Sequence, residues 1–248
     1  MGESTEHGIT IRLLLAALIE LARERGWTDR LVAGDQFFGW VPTHPLVRIS
    51  PDVYILDKPP APYPKSFQTW LAGHAAPCFA VEVVSDDWTK DYDDNPPKYD
   101  QLGTRELILF DPDAVQRPRG RRVALQVFRR DAAGALTCVA SGPGPVHSAE
   151  LDAWLVVSPD TRLHISRNAA GTDLVRPAEE QLPALEARLR DQEARFRDQE
   201  ARFRDQEARF RDLQTLVQTL QAMVQAQADR IQAQADRIRE LETRPRGE

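Results

Sequence analysis

Cysteine is scarce in this 248-residue sequence, which contains only Cys78 and Cys138. Neither belongs to a C-x-x-C pair, and both lie in apolar, strand-like surroundings. This pattern argues against a disulfide-based scaffold and against the common cysteine zinc sites. A reducing compartment suits such a chain, and we expect a cytoplasmic protein.

Long hydrophobic runs are also missing. No stretch reaches the roughly 18–20 apolar residues that a membrane-spanning helix requires. The apolar run at 13–21 is flanked or interrupted by Arg12, Glu20 and Arg23. We therefore predict an amphipathic helix here, neither a signal peptide nor a membrane anchor, and we expect no membrane partner.

A basic excess is absent as well, because 32 Lys and Arg face 38 Asp and Glu, for a net charge of −6. Proteins that coat nucleic acid by charge alone usually carry the opposite balance. A local basic cleft is still compatible with this composition. Six arginines suit phosphate binding, or alternatively form only a solvated hairpin: Arg117, Arg119, Arg121, Arg122, Arg129 and Arg130.

Two short β-branched runs each contain one embedded acid. Asp52 follows Pro51 at the start of one run, and Glu82 lies in the middle of the other, at 79–84. A carboxylate in such a run is costly to bury unless it is paired or coordinated. Two acids on neighbouring strands could share one divalent cation such as Mg²⁺, which prefers oxygen ligands. The alternatives are a turn role for Asp52 and a solvated strand face for Glu82.

Hydrophobic periodicity and turn residues indicate an α/β protein that contains both helices and strands. Helices are predicted at 10–25 and from about Asn95, with Pro96 and Pro97 in the first turn, to Gly103. A Pro-rich loop with exposed Tyr63, Phe67 and Trp70 is expected at 57–73. Strands that form one sheet are predicted at 30–41, 47–49, 52–56, 78–84, 106–110, 121–130, 136–140, 155–157 and 162–165.

The sequence after residue 182 repeats every seven residues: EARFRDQ occurs twice in succession, and QAQADRI occurs twice further on. Strict heptads predict a left-handed coiled coil. Glutamine occupies five of the d positions, which weakens the seam, so a single solvated helix is the alternative. The a positions of the seam are Leu189, Phe196, Phe203, Phe210, Val217, Val224, Ile231 and Ile238.

The charges beside the seam favour a parallel arrangement. In the phenylalanine heptads the e positions are Glu193, Glu200 and Glu207, and the g positions are arginines at 195, 202 and 209. Parallel chains bring g of one helix to e of the other, which is attractive here. We therefore predict a parallel homo-oligomer, either a dimer or a trimer.

Several ordered motifs resemble one known family. They are Pro51-Asp52-Val53, then Val81-Glu82-Val83-Val84-Ser85, then Tyr99-x-x-x-Gly103-x-x-Glu106 followed by Phe110-Asp111-Pro112. Over about residues 8–168 the chain is similar to the Uma2 family, whose members are described as putative restriction endonucleases. That family resembles the PD-(D/E)XK nuclease-like superfamily, so the resemblance implies a restriction-endonuclease-like core, in which a central mixed sheet is flanked by helices.

The resemblance implies Asp52, Glu82 and the backbone carbonyl of Val83 as ligands of Mg²⁺ or Mn²⁺. The sequence departs from the pattern at the lysine, because Val84 and Asn95 stand where a lysine is expected. Lys98 is the nearest replacement and is assigned the catalytic role, with Lys90 as an alternative. Asp35 ranks lower as a further acid.

The sequence thus predicts a nuclease domain at 1–170, a linker at 171–182 and a coiled coil at 183–244. The function implied by the resemblance is divalent-metal-dependent hydrolysis of DNA phosphodiester bonds by an oligomeric endonuclease. The alternative is a catalytically inactive nuclease-fold module that binds or scaffolds a partner and is assembled through the coiled coil.

Overall fold

A computed structural model describes residues 5–117 and 120–242 of the chain. The chain divides between Gln181 and Leu182 into two compact units. The first unit is mixed α/β. Its helices are α1 (Thr5–Glu24), α2 (Asn95–Leu102) and α3 (Pro112–Gln116), and a π-helical turn (Lys90–Asp94) leads directly into α2.

A six-stranded sheet forms the centre of this unit, with the strand order β1-β4-β6-β7-β8-β9. Only β6 and β7 pair in parallel, so the sheet is mixed, as predicted. Its strands are β1 (Arg30–Ala33), β4 (Val53–Asp57), β6 (Phe79–Val83), β7 (Glu106–Phe110), β8 (Leu125–Arg130) and β9 (Leu136–Gly142).

Alternation along the strands creates two cores, one on each face of this sheet. Val53 and Val81 point to the face that α1 covers with Leu14 and Leu18. Their neighbours Tyr54 and Ala80 point to the other face, where α2 packs with Tyr99 and Leu102. The polar side chain of Glu82 therefore belongs to the α2 side.

Two smaller sheets accompany the central one. The strands β2 (Phe38–Gly39), β3 (Arg48–Ile49) and β5 (Phe67–Gln68) form one of them, in the order β3-β2-β5. The strands β10 (Val146–Ser148), β11 (Ala153–Val157) and β12 (Leu163–Ser166) form the other.

These small sheets correct two expectations. The strands near 155–157 and 162–165 do not extend the central sheet, because β11 pairs with β10 and β12 instead. Phe67 was expected to be exposed in a loop but is fully buried, stacked 4.8 Å from the ring of Phe38. Its backbone pairs in parallel with β2, which gives this Pro-rich segment an anchored strand.

The second unit is dominated by one helix, α4 (Ala178–Glu242), which has 65 residues and continues through Pro183. A helix of this length is about 100 Å long. Phe196, Phe203 and Phe210 are each more than 60% exposed along it. No helix in the described ranges is long and apolar enough to cross a membrane.

The domain boundaries given above, at 1–170, 171–182 and 183–244, stay a prediction.

Candidate active site

Strands β4 and β6 place Asp52 and Glu82 beside each other at one end of the central sheet. Val53 is paired with Val81 in an antiparallel register. Asp52 directly precedes Val53 and Glu82 directly follows Val81, so the two acids continue the same register beyond the last pair. Oδ2 of Asp52 accepts a 2.7 Å hydrogen bond from the Val83 amide, which fixes this carboxylate against the end of β6.

Glu82 is 7% exposed and is oriented by α2. The hydroxyl of Tyr99, a fully buried side chain, donates a 2.5 Å hydrogen bond to Oε1 of Glu82. Gly103 ends α2 in the left-handed conformation, with φ 95°, four residues after Tyr99. Both ends of α2 match the sequence-based prediction. The helix places the hydroxyl of Tyr99 within hydrogen-bond distance of Glu82.

The electrostatics of this site disfavour a charged Glu82. Burial raises its pKa well above the ordinary value, and the negative charges of Asp52 and Asp91 raise the pKa further. The hydrogen bond from Tyr99 and the charge of Lys90 act in the opposite direction. Burial, followed by the charge of Glu82, also raises the pKa of Tyr99 well above its usual range. A bound cation would relieve this repulsion between carboxylates.

Asp91 is a further acid near Asp52 and Glu82 that was not predicted from the sequence. The π-helical turn before α2 directs Asp91 inward, where it is 3% exposed. Oδ2 of Asp91 accepts hydrogen bonds from the amide and hydroxyl of Ser85, at 2.8 and 2.9 Å. Oδ1 accepts a 3.2 Å hydrogen bond from Asn95. The four-residue spacing of Asp91 and Asn95 was the available signal, because such residues share a helix face.

His7 is a second residue that the sequence did not single out. Its Nε2 lies 3.8 Å from Oδ2 of Asp52, and both side chains are largely buried. Helix α1 therefore contributes to the surroundings of Asp52. No sequence motif marks this histidine, since it comes from the first turn of a helix that is distant in sequence from Asp52.

The segment between β1 and β2 contacts the backbone on the other side of Asp52. The Asp35 amide donates a 3.1 Å hydrogen bond to the Pro51 carbonyl, while the Asp35 side chain is exposed. A Cβ atom on Gly34 would lie 2.3 Å from the Asp52 carbonyl oxygen. Only glycine permits this approach, so Gly34 has a structural role that the predicted strand at 30–41 did not reveal.

Asp52 and Glu82 are the side-chain donors of the Mg²⁺ or Mn²⁺ site expected from the sequence. In the portion of the chain covered by the structure, no three His, Cys, Asp or Glu side chains are grouped closely enough to hold a metal ion by themselves. Mg²⁺ commonly uses only one or two carboxylates and retains several waters. Two adjacent carboxylates, one of them nearly buried, fit that mode of binding.

Comparison with known proteins identifies the family of this chain. The profile of Uma2, described as "Putative restriction endonuclease", matches residues 1–157. The chain belongs to the Uma2 family. A search of curated proteins found no match. A crystal structure of "a putative nuclease belonging to DUF820" from Anabaena variabilis is similar at 12% identity and TM-score 0.42, over 61% of this chain and 78% of that one.

This Uma2 chain places its lysines unlike the pattern stated above. Val84 and Asn95, at the two expected lysine positions, are both buried. Lys98 is half-buried on α2 and, among the described residues, forms no ion pair. Nζ of Lys90 lies 3.9 Å from Oδ1 of Asp91, and its charge lowers the pKa of Glu82. The assignment of Lys98 stays a prediction, while Lys90 is the lysine that acts electrostatically on the acids.

The arginines expected to grip phosphate are mostly engaged within the protein. Arg122 binds Asp111 and Arg129 binds Glu106, two carboxylates that are fully buried. Arg121 pairs with Asp93, and Arg130 pairs with Asp100. Arg117 is exposed, and Arg119 lies outside the described residues. The paired guanidinium groups stabilise the fold, which leaves them poorly suited to phosphate.

Proposed function

We propose that this Uma2 protein is a divalent-metal-dependent endonuclease that hydrolyses phosphodiester bonds of DNA in the cytoplasm. The observation that carries the proposal is the adjacency of Asp52 and Glu82 at the end of β4 and β6. Membership of a family described as "Putative restriction endonuclease" supports the same reaction class. A nucleic-acid substrate follows from that class, and DNA is our choice within it.

Asp52, Glu82 and the carbonyl of Val83 are the proposed ligands of Mg²⁺ or Mn²⁺. Such an ion, when bound, polarises the phosphodiester and lowers the pKa of the attacking water. The protein keeps the ligands in place, since the Val83 amide holds Asp52 and the Tyr99 hydroxyl holds Glu82. These contacts fix ligand orientation before substrate binds, which is the function of the surrounding shell in metal sites.

A lysine would stabilise the charge that develops on the phosphate in the transition state. Lys98 is the residue expected from sequence, on α2 directly before Tyr99. The geometry favours Lys90, because its charge acts on Glu82 and its side chain is 54% exposed to solvent. We therefore propose Lys90 for this role and retain Lys98 as the competing assignment.

Oligomerisation through a parallel coiled coil is the second part of the proposal. The phenylalanines at a positions are exposed along α4, as expected if they form the contact surface for a partner helix. In the isolated helix the g-position arginines Arg195, Arg202 and Arg209 pair with aspartates four residues earlier. A parallel partner would add its e-position glutamates to these pairs. A dimer would bring two catalytic units to the two strands of one duplex.

A catalytically inactive binding or scaffold module is the alternative. Asn95 favours it, because this buried residue cannot supply the positive charge expected at its position and is hydrogen-bonded to Asp91. The coiled coil would then serve assembly alone. The two functions differ in one measurable property, which is metal-dependent cleavage.

The deciding experiment is a plasmid-nicking assay of the full chain across a Mg²⁺ and Mn²⁺ titration, with Mn²⁺ binding followed by calorimetry. Wild type should bind Mn²⁺ and nick, whereas Asp52→Asn and Glu82→Gln should do neither. Asp35→Asn is the matched control, because this nearby acid is exposed. Folded wild type that binds no metal and cleaves neither DNA nor RNA would refute the nuclease and leave the binding module.

A further inference from the structure

We propose that Arg48, stacked on Phe37, contacts the phosphate backbone of duplex DNA beside the Asp52–Glu82 site. The inference rests on the proposed nuclease function and names the surface through which the substrate is held. It moves the phosphate contact from the hairpin arginines to the small sheet that contains β2 and β3.

Arg48 is oriented by an aromatic ring and not by a carboxylate. Its guanidinium carbon lies 3.9 Å from the ring centroid of Phe37, and in the described residues it has no carboxylate partner. Arg122, Arg129 and Arg130, by contrast, all bind acids. Stacking on an aromatic ring orients the guanidinium while its N–H groups stay available for a bidentate phosphate contact.

Both members of this pair are exposed, Phe37 by 41%. An exposed phenylalanine adds little to folding, so its value here is as a platform for the arginine. The residues that precede Arg48, Leu46 and Val47, are 82% and 38% exposed, so the surface of this segment is partly apolar. An exposed, partly apolar surface with one oriented cation suits a polyanion whose sugars are partly apolar.

The chain ties this surface to the acids from two directions. Arg48 precedes Asp52 by four residues, which limits their Cα separation to at most about 14 Å. Phe37 follows Asp35, whose amide donates to the carbonyl of Pro51, directly before Asp52. Strands β2 and β3 then pair Phe38 with Ile49 and Gly39 with Arg48.

The test measures binding of a labelled mixed-sequence duplex by fluorescence anisotropy at several salt concentrations, in the full chain carrying Glu82→Gln. Arg48→Ala should weaken binding by about tenfold and reduce the log–log salt slope by about one, as expected for the loss of one phosphate contact. Arg48→Lys should restore the slope with part of the affinity, because it keeps the charge and loses the fork. Phe37→Ala should weaken binding without a change of slope.

Arg117→Ala is the matched comparison, since Arg117 is an exposed arginine from the rival hairpin set. Weaker binding with Arg117→Ala but not with Arg48→Ala would overturn the inference, as would Arg48-dependent binding of RNA but not of duplex DNA. Circular dichroism of each variant checks that the fold is retained. Failure of the nuclease proposal is a separate result, seen as absent cleavage by wild type while binding still depends on Arg48.

Discussion

The hydroxyl of Tyr99 lies 2.5 Å from Oε1 of Glu82, and this contact joins the centre of α2 to the end of β6. The phenol is fully buried, so the carboxylate accepts its hydrogen bond from a donor shielded from water. The helix is thereby part of the acid site, and the fit of the helix on the sheet controls the orientation of the carboxylate.

Replacing Tyr99 by phenylalanine removes this donor and leaves the ring in place. We expect Mn²⁺ affinity to fall by about 10- to 100-fold, the usual cost of losing a group that orients a ligand. The free energy of unfolding should fall by about 1–3 kcal/mol, because a buried acceptor loses its partner. Calorimetry and chemical denaturation measure the two effects. Tyr63→Phe, at a side chain 62% exposed, should change neither.

Substitution of each lysine separates the two catalytic assignments. Lys90→Gln should lower the rate of nicking by about 100-fold, the typical effect of removing one charge-stabilising donor. Lys98→Gln should leave the rate within about twofold, because Lys98 forms no ion pair among the described residues. Initial rates at saturating Mg²⁺ give the comparison. The opposite ranking would restore Lys98 as the catalytic lysine.

The raised pKa of Glu82 sets a direction for the pH dependence of stability. A carboxyl whose folded pKa exceeds its unfolded pKa holds its proton more tightly in the native state. The protein without metal should therefore lose stability as pH rises from the unfolded pKa to the folded pKa of Glu82, and no further above it. Glu82→Gln removes this titration, so its denaturation midpoint should fall less across that window. Parallel curves for both proteins would show that another group is responsible.

The close approach of Gly34 to Asp52 predicts a sensitive position. Gly34→Ala would place Cβ 2.3 Å from the carbonyl oxygen of Asp52, so the backbone that carries this acid must shift. We expect a loss of about 1–3 kcal/mol in the free energy of unfolding, as for other overpacked sites, together with weaker Mn²⁺ binding. Gly8→Ala is a suitable control, because no atom lies within 4 Å of its added Cβ in α1. That change should stabilise the helix by roughly 0.5–1 kcal/mol.

The seam on α4 can be tested by its phenylalanines. Replacing Phe196, Phe203 and Phe210 together by serine should convert the oligomer to a monomer, because the apolar contacts of three successive heptads are lost. Sedimentation equilibrium of the full chain measures the mass. The control places serine at the f positions Ala194, Ala201 and Ala208, which face away from the seam. A wild-type chain that sediments as a monomer would contradict the coiled-coil proposal directly.

Much of the central sheet was predictable because its strands have strong local signals. Glu106–Phe110 is a strand over the predicted residues, and α2 begins at Asn95 and ends before Gly103, as Pro96 and the glycine indicate. The pairing of Asp52 with the end of β6 depended on register, which neither residue reveals alone. It was reached from the family resemblance together with the cost of burying an acid.

The remaining parts depended on contacts that are distant in sequence. The alternation around β11 and β12 predicted strands but not which sheet they join, because pairing with β10 is decided by tertiary packing. The arginines of β8 looked solvated because their acceptors, such as Glu106, lie on a neighbouring strand. Asp91 was not predicted as a site residue, because Pro96 and Pro97 indicated a helix start near Asn95 and gave no sign of the helical turn before it.

The π-helical turn at Lys90–Asp94 determines where the side chain of Asp91 points. A π-helical turn winds more residues into one revolution than an α-helix does. Removing one residue from Lys90–Asp94 would let the segment rewind as regular helix and rotate what precedes it by about 100°. Asp91 would then swing off Ser85 and away from Glu82, although neither of those side chains had been altered. Here the count of residues in the backbone, as much as their chemistry, decides how much negative charge surrounds Glu82.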